Sequence, residues 1–549
     1  YVEIKLEPLT EQMSETLVDN MLNIKGLHYR IKNRIVQQAG GNPFFIEEVV
    51  RSFIDEGAVI VKNGNFEVTD KIDTMVIPPT INDVLMARID RLDENTRELI
   101  RVASVIGRSF FYHILTEVAK TVDGIEGRLS YLKEIQLIRE RRRMEELEYL
   151  FKHALAQEAA YESILHQKRK EIHLQVAQSI EKVFGDRLRV FYGMLALHYI
   201  KAENYEKAEQ YLIKAGEEAL RSSASSEALN YYQDGLKLYL QFKKDSADPE
   251  KLAMFEKNIA IALFNKCRWE EAVEHIDKFY NYWNIQANPN KALTLMGFAK
   301  NVLFLFRGLD RFFKKTKPIP NQREIEILDL IYKKGNALAN FDNLRFLFAL
   351  LYAFNIAIKF DISKSSEAFR ALTGPAGGLA FGGISFKIPY KILGFSEKNL
   401  DKNDVGSYMS YTCMKAMVNH VSGNLLEAGY FEEALINMSF AKGFMWDAST
   451  YMVWFNMMKI DMGEFTESDG YVSKLFDIGN TYGYDYATLI AYISKTYMEM
   501  VKRNIPEAQS AADEGISFCI KKGLRLYELA FWGQKAERQI LSGDVEGAK

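Results

Sequence analysis

The chain has 549 residues, of which 48% are hydrophobic and 26% charged, and its formal net charge is -3. This length predicts about three or four domains, and the small charge excludes a protein that is drawn as a whole to nucleic acid or to an anionic membrane. The three cysteines form no CxxC pair and indicate neither a zinc site nor a disulfide framework, so the expected compartment is the reducing cytoplasm.

The first 75 residues predict a strand, three helices and a small hairpin. The strand is expected over residues 1–9, where apolar and polar residues alternate. The third helix is expected to begin after Asn42, a capping residue, with Pro43 in its first turn, where the missing N–H does no harm. Asn63-Gly64, between two short apolar runs, is a hairpin signal.

Residues 76–160 have the order of a winged helix. Residues 136–152 carry apolar ends and a charged tip, which is typical of a β-hairpin. Helical periodicity precedes this hairpin in four stretches, at about 80–92, 94–106, 111–120 and 126–135.

From about residue 155 onward the pattern is helical and repetitive. In the second helix of tetratricopeptide repeats, an alanine is followed four residues later by a bulky residue and three residues after that by a small one. The small residues lie where paired helices touch, because close packing leaves no room for larger side chains. The chain matches this pattern at Ala208-Leu212-Ala215, Ala272-Ile276, Ala434-Met438-Ala441, Ala508-Ala512-Gly515 and, at the start of a further copy, Ala548. Five such matches predict a tetratricopeptide-like α-solenoid, so we expect a mainly α fold over residues 161–549.

Two further stretches invite functional interpretations that we set aside. Residues 346–358 are strongly apolar but too short to span a bilayer, and they predict a buried helix. The Gly-rich residues 373–383 lack the Lys and Ser/Thr of a phosphate-binding loop, and they favour a turn with close helix packing. No GxxxxGK[ST], HExxH or GxSxG motif occurs, so we expect no catalytic residue and no metal ligand, and no ATP hydrolysis by this chain alone.

Three blocks in order carry a family resemblance: "AGGNPFFIEEVV" at 39–50, residues 77–110, and "FKHALAQEAAYESIL" at 151–165. They resemble the lid and winged-helix domains of STAND ATPases, the signalling branch of the AAA superfamily. Similar modules are often joined to class III adenylate or guanylate cyclase domains, and they also occur on some protein kinases and LuxR-type transcription regulators. The resemblance implies a nucleotide-binding module ending in a helical lid at 1–75, a winged helix at 76–160 and repeats beyond.

The resemblance also implies two nucleotide contacts. The lid proline, here Pro43, would lie against the adenine, and His153 would reach the β-phosphate of bound ADP, as does the His of a Met-His-Asp motif. Ala154 stands where that motif has Asp, so the match is partial. On residue chemistry alone, a helix-start proline and a structural histidine remain the alternatives. Either contact needs the ATPase core that is missing here, so this chain holds no cofactor by itself, while ATP or ADP with magnesium is implied for the intact protein.

Arginines supply the other candidates. Arg88 and Arg91 could sense phosphate, but exposed helix residues are the favoured interpretation, with pairing to the acids at positions 90, 93 and 94. Acidic residues offset the basic tip of the hairpin, which argues against DNA binding because uncompensated positive charge is needed at phosphates. That tip combines Arg139, Arg141, Arg142 and Arg143 with Glu140, Glu145, Glu146 and Glu148.

These observations predict the regulatory and protein-interaction region of a STAND-type signalling ATPase that couples nucleotide state to an output domain. A protein partner is expected on the concave face of the solenoid, without nucleic acid or membrane binding. One alternative is part of a class III adenylate or guanylate cyclase whose catalytic domain lies upstream. Another is a LuxR-type transcription regulator with a helix-turn-helix domain beyond residue 549. Because the chain begins with Tyr1 rather than Met, we expect it to be a fragment of a longer protein.

Overall fold

The structure is a computed structural model that describes residues 7–22, 29–62, 65–143, 145–243, 246–285, 290–306, 317–383, 385–427 and 431–541. The chain divides into two compact units, Tyr1–Tyr211 and Leu212–Lys549. Past Phe151, every regular element that the structure describes is helical, which confirms the predicted mainly α fold class. The finer domain boundaries at residues 75 and 160 stay predictions.

The first unit combines helices with two small sheets. Its helices are α1 (Glu11–Leu22), α2 (Tyr29–Ala39), α3 (Pro43–Asp55), α4 (Ile81–Asp90), α5 (Glu94–Ile106), α6 (Tyr112–Val118), α7 (Ile125–Glu134), α8 (Ala154–Glu162), α9 (His166–Val183) and α10 (Tyr192–Lys201). Its strands are β1 (Val59–Lys62), β2 (Asn65–Val68), β3 (Ser109–Phe111), β4 (Ile138–Arg143) and β5 (Glu146–Phe151). Short 3-10 helices occupy Asp70–Thr74 and Gly185–Phe191.

Both hairpins pair as the alternation of the sequence suggests. β1 and β2 are antiparallel, with Val59 opposite Val68; the predicted Asn63-Gly64 turn lies outside the described residues, as does most of the strand expected at 1–9. β5 is the central strand of the second sheet and is antiparallel to both β4 and β3. We did not predict β3, because three residues are too few to show alternation.

The second unit is a succession of helices, and the boundary between the units falls within its first helix. The helices are α11 (Tyr205–Arg221), α12 (Ser225–Lys243), α13 (Pro249–Asn265), α14 (Trp269–Tyr282), α15 (Lys291–Phe306), α16 (Gln322–Leu338), α17 (Asn343–Ala357), α18 (Ser366–Phe381), α19 (Lys387–Lys398), α20 (Val405–Val421), α21 (Glu433–Ala441), α22 (Met445–Asp461), α23 (Phe465–Tyr482), α24 (Asp485–Val501), α25 (Ile505–Lys522) and α26 (Arg525–Leu541). Short 3-10 helices occupy Ile362–Lys364 and Leu425–Glu427. From α16 onward the helices pack mainly on neighbours one or two places along the chain, as stacked helical repeats do.

The turns between the last helices recur at a fixed interval. In each turn one residue has a positive φ, which suits glycine because it has no Cβ. These residues are Gly423, Gly443, Gly463, Gly483, Arg503 and Gly523. The 20-residue spacing means that one helix pair spans 40 residues here, longer than the usual tetratricopeptide period of about 34 residues.

Four of the five predicted repeat anchors can be checked. The anchors of α11, α14 and α25 are buried, which confirms them as packing positions; they include Ala208, Ala215, Ala272, Ala508 and Ala512. The anchors in α21 are wrong: Ala434 and Ala441 are exposed, and Met438 is 48% exposed. The larger apolar residues of this short helix take the inward face instead, namely Leu435, Ile436 and Phe440. Ala548 lies outside the described residues.

The apolar stretch at 346–358 belongs mostly to α17, and several of its side chains are buried, which confirms the predicted buried helix. Its one polar interruption is paired: the Nδ2 atom of Asn355 donates to the Thr294 carbonyl at 2.9 Å, and its Oδ1 accepts from Asn301 at 2.9 Å. Among the described residues, no helix is long and apolar enough to cross a membrane.

A buried polar network joins three helices of the second unit. Arg370 on α18 donates from Nη2 to Asp447 on α22 at 2.8 Å, and its Nη1 lies 3.4 Å from Asp329 on α16. The Tyr332 hydroxyl donates to the other oxygen of Asp447 at 2.5 Å. The Arg370 guanidinium also lies 4.5 Å from the centre of the Tyr332 ring. The network therefore ties α16, α18 and α22 together through charge rather than apolar contact alone.

Candidate functional site

The first of the two predicted site residues, Pro43, is exposed at the start of α3. The preceding Asn42 caps the helix, since its Oδ1 accepts from the backbone N–H groups of Phe44 at 3.0 Å and Phe45 at 3.4 Å. Two glycines with positive φ lead into this cap. At the second of them, Gly41, an added Cβ would lie 2.3 Å from the Leu9 carbonyl oxygen. The sequence "GGNP" therefore fixes where α3 begins.

The second, His153, follows β5 and is the N-cap residue of α8, where its side chain makes no capping hydrogen bond. Its Nε2 atom is buried and has no hydrogen-bond partner among the described residues. Burial lowers the pKa of His153, with Lys152, Arg51 and Arg108 adding to the effect and the nearby Glu47 opposing it. The ring is therefore neutral at pH 7 and carries one N–H.

The structure brings the two positions together through the residue after Pro43. The ring centroids of Phe44 and His153 are 3.8 Å apart, and the ring planes are tilted by 33°. The first turn of α3 thus touches the first turn of α8, although more than a hundred residues separate them in the sequence. We expected each residue at a helix start, but not their contact.

A small polar cluster holds the two helices beside this contact. Lys152 donates to the Glu47 carboxylate at 2.6 Å, and Arg51 donates to the same oxygen at 2.8 Å. Both cations also donate to the Gln136 side-chain oxygen, Arg51 at 2.6 Å and Lys152 at 3.0 Å. Burial acts to raise the pKa of Glu47, but the two cations outweigh it and lower that pKa, so this carboxylate stays ionised.

We predicted that Arg88 and Arg91 are exposed and pair with the acids at positions 90, 93 and 94. The predicted partners are wrong for both residues, and the predicted exposure is wrong for Arg88. Arg88 is buried, and it pairs with Glu48 and, at 3.0 Å, with Asp55, while its Nη2 donates to the Ile135 carbonyl at 2.9 Å. α4 turns Arg88 inward against α3, where burial raises the pKa of Glu48.

Arg91 is 42% exposed and pairs with Glu56 and with the Ser52 hydroxyl, rather than with the acids nearest in sequence. In both cases acids of α3 or its C-cap residue Glu56 supply the negative charge, rather than the acids at positions 90, 93 and 94.

Two sequence features that we set aside have structural roles. Gly374, Gly377 and Gly378 lie within α18 and allow close packing, since a Cβ on Gly377 would lie 2.6 Å from the Met414 sulfur, and Gly382 and Gly383 form the turn that follows the helix. On the hairpin, Arg141 donates to Glu148 at 2.5 Å, and Arg143 lies 3.5 Å from the same carboxylate. Part of the basic tip is therefore neutralised within its own sheet.

Among the described residues, no group of three or more His, Cys, Asp and Glu side chains is arranged to hold a metal ion.

Sequence reasoning missed the residues that join the two site positions, above all Phe44, Glu47 and Lys152. Phe44 follows the lid proline directly and Lys152 precedes His153, so proximity to the two predicted residues was the available signal. The pairing itself depends on contacts between distant segments, which the local pattern does not contain.

Comparisons with known proteins match parts of the chain. A family model described as "Domain of unknown function (DUF8739)" matches residues 10–67, which include Pro43. An uncharacterized protein of Rhizobium meliloti (strain 1021) is 25% identical over 217 residues, 39% of this chain and 20% of that protein. The chain thus spans about a fifth of the length of this curated relative. A solved structure, a Signal Transduction ATPase with Numerous Domains (STAND) protein with a tetratricopeptide repeat sensor from Pyrococcus horikoshii, is 12% identical; the alignment covers 96% of this chain and 76% of that one, with a TM-score of 0.31.

Proposed function

We propose that this chain is the regulatory and protein-interaction region of a STAND-type signalling ATPase that acts in the cytoplasm, and that it has no catalytic activity of its own. One observation carries the proposal. Pro43 and His153, the two residues to which the family resemblance assigns nucleotide contacts, lie on helix starts that touch each other through Phe44. A single nucleotide bound to another part of the intact protein could therefore contact both.

The residues around His153 suit an anionic group. The ring lies at the N-terminus of α8, where the backbone N–H groups and the helix dipole favour negative charge. Among the residues that the structure describes, its buried Nε2 has no hydrogen-bond partner, and Lys152 and Arg51 add positive charge nearby, which the ionised Glu47 offsets in part. When bound, ADP would supply phosphate oxygens as acceptors. In the proposal, His153 donates one hydrogen bond from Nε2, and Pro43 covers the base.

Buried ion pairs give this contact a route into the rest of the first unit. Arg88 fixes α4 to α3 through Glu48, and it also binds the Ile135 carbonyl just before β4. A displacement of α3 would therefore move α4 and the hairpin with it. Regulation of this kind requires two discrete arrangements of these elements, one of them favoured by ADP.

The test is nucleotide affinity in the full-length protein. We expect His153→Ala to weaken ADP about tenfold, as fits the loss of one hydrogen bond to a charged group, and to weaken ATP less. Output activity in the presence of ADP should rise. His166→Ala is the matched control, since His166 is exposed at the start of α9. If His153→Ala folds normally and changes neither ADP affinity nor output, His153 is a structural histidine and the proposed contact is wrong.

A further inference from the structure

Four helices of the second unit recur at a constant interval of 40 residues. α20, α22, α24 and α26 each contain 17 residues, and each begins 40 residues after the one before it. α23 and α25, which alternate with them in the chain, also begin 40 residues apart. Positions on α26 therefore have counterparts on the three earlier helices, and their burial can be compared directly.

One face of α26 is exposed where the counterpart faces are buried. Leu529 is 66% exposed and Ile540 is 58% exposed, whereas their counterparts are buried. The counterparts of Leu529 are Met409, Ser449 and Leu489, and those of Ile540 on α22 and α24 are Ile460 and Met500. Trp532, which is 45% exposed, lies on the same face. We name Leu529, Trp532 and Ile540 the open face of α26.

In the preceding repeat, the next helices of the chain pack on this face. Trp532 on α26 corresponds to Tyr492 on α24, and the ring centroid of Tyr492 lies 6.0 Å from that of Phe518 on α25. α24 packs against both α25 and α26. The helix pair that follows α24 thus contributes the cover that α26 lacks.

The sequence after α26 continues the repeat. Residues 542–549 lie outside the described residues, but Gly543 stands 20 residues after Gly523 and so extends the series of turn positions with positive φ. Ala548 stands 40 residues after Ala508, a fully buried anchor of α25. A helix that ends a repeat array needs a polar outer face, and the open face of α26 is apolar.

We propose that the open face of α26 binds a further helix pair of the same chain. The first helix of this pair begins near Val545, 40 residues after the start of α25, and residues beyond 549 complete the pair. Repeat arrays bury a continuous core in this way, because each unit covers the apolar face of the unit before it. The surface that the array offers to a protein partner then extends past α26. This inference does not depend on the nucleotide contacts of the proposed function.

Two other occupants explain less. A second copy of the chain, bound symmetrically through this face, gives no reason for Gly543 and Ala548 to match the repeat. A lipid surface would have to accept the charges beside Trp532. The Trp532 Nε1 donates to Glu528 at 3.4 Å, and the Lys535 Nζ lies 4.8 Å from the centre of the indole ring.

Thiol reactivity measures whether the face is covered. All three natural cysteines are buried, so Leu529→Cys introduces an exposed thiol that a maleimide reaches first. We expect this thiol to react at least about tenfold more slowly in the full-length protein than in the chain that ends at Lys549. A chain extended by the next 40 natural residues, one repeat, should already give that protection. All reactions are measured without nucleotide.

Ile520→Cys is the matched control. Ile520 is 62% exposed on α25, and its counterpart Asn480 on α23 is exposed although a further helix pair follows it. The thiol at position 520 should therefore react at the same rate in all three chains. Circular dichroism checks that each variant is folded, and Ile540→Cys takes the place of Leu529→Cys if the latter is not.

Four outcomes overturn the proposal. Two of them are a thiol at position 529 that reacts equally fast in the full-length protein, and a 40-residue extension that leaves this thiol unprotected. The third is protection that rises with protein concentration in the chain that ends at Lys549, which would indicate a second copy. The fourth is a natural reading frame that stops at Lys549. None of them involves the ADP measurement, so the proposed function and this inference can fail separately.

Discussion

The ring of His153 lies against the ring of Phe44, with 3.8 Å between their centroids. This contact covers the imidazole and excludes water from one of its faces. It joins a residue that follows a β-strand to the first turn of a helix that is distant in sequence. The salt bridge from Lys152 to Glu47 lies beside it and fixes the same two segments.

Removal of the Phe44 ring should expose His153 to water. Because burial is the main cause that lowers the pKa of His153, we expect Phe44→Ala to raise that pKa toward the ordinary value of about 6.5. Titration of the imidazole signals by NMR measures the change. Tyr29→Ala, at a residue that is 73% exposed, is the control and should leave the titration of His153 as it is. An unchanged His153 titration in Phe44→Ala would show that the ring contact does not shield the imidazole.

Arg88 and Arg91 should differ sharply in their contribution to stability. The side chains of Arg88 and Glu48 are both 2% exposed, so Arg88→Ala leaves a buried carboxylate without its main partner and should destabilise the chain by about 3–5 kcal/mol. Arg91→Ala should reduce the free energy of unfolding by about 0–1 kcal/mol, as for other exposed ion pairs. Urea denaturation of both variants tests the difference.

A double variant then separates lost charge pairing from lost packing. Arg88→Met with Glu48→Leu removes both buried charges and should recover most of the stability that Arg88→Ala loses. A double variant as unstable as Arg88→Ala would mean that the hydrogen bond to Ile135 or the pairing with Asp55, rather than neutralisation of Glu48, carries the effect.

The repeat anchors also allow a matched pair of substitutions. Ala272 is fully buried where α14 packs against α13, so Ala272→Leu should overpack the pair and cost about 1–3 kcal/mol. Ala434 is exposed on α21, so Ala434→Leu should change stability by less than about 0.5 kcal/mol. Thermal unfolding monitored by circular dichroism measures both. Equal destabilisation by the two substitutions would contradict the burial that the structure assigns to α21.

A buried histidine pair should make stability depend on pH. The Nδ1 atoms of His173 and His198 are 2.9 Å apart, and the Tyr161 hydroxyl lies 3.1 Å from the Nε2 of His173. Burial lowers the pKa of His173 to about 4, with the charges of Lys201 and Arg169 contributing. Burial, with a further contribution from His173, lowers the pKa of His198 to about 3. Both rings are neutral at pH 7.

The unfolded chain binds these protons at the ordinary pKa of about 6.5, whereas the folded chain does not. Stability is therefore fully present above pH of about 6.5 and falls as the pH drops toward 4, by up to about 1.4 kcal/mol per pH unit for each histidine. Denaturation curves between pH 7 and 5 measure this slope. The double variant His173→Gln, His198→Gln should flatten it, and the exposed His166→Gln should not. A slope that persists in the double variant would assign the pH dependence to other groups.

Local chemistry accounts for what could be predicted from the sequence. Asn42 and Pro43 mark a helix start because capping depends on neighbouring residues alone. The position of His153 follows from the alternation that ends at β5. By contrast, the contacts of His153 with Phe44 and of Arg88 with Glu48 bring together segments far apart in the chain. No periodicity carries that information.

The repeat anchors could likewise be predicted only in part from the sequence. An alanine that matches the repeat pattern is a packing anchor only where it lies on the most apolar face of its helix, as Ala272 does. In α21 the larger apolar side chains of Leu435 and Phe440 take the buried face, and this orientation leaves Ala434 exposed. In α23 the inward small residue is Ser468, fully buried, so an alanine-based pattern passes over that helix.

The buried network of Arg370, Asp447, Asp329 and Tyr332 helps to determine which helices of the second unit pack against each other. Similar helical segments in one chain can assemble out of order, a known failure of repeat proteins. An assembly that placed α18 away from α22 would leave the Arg370 guanidinium buried without Asp447, at a penalty of about 3–5 kcal/mol. Apolar faces alone discriminate weakly among such neighbours. The Arg370–Asp447 ion pair thus favours the native stacking order of the helices over incorrect orders.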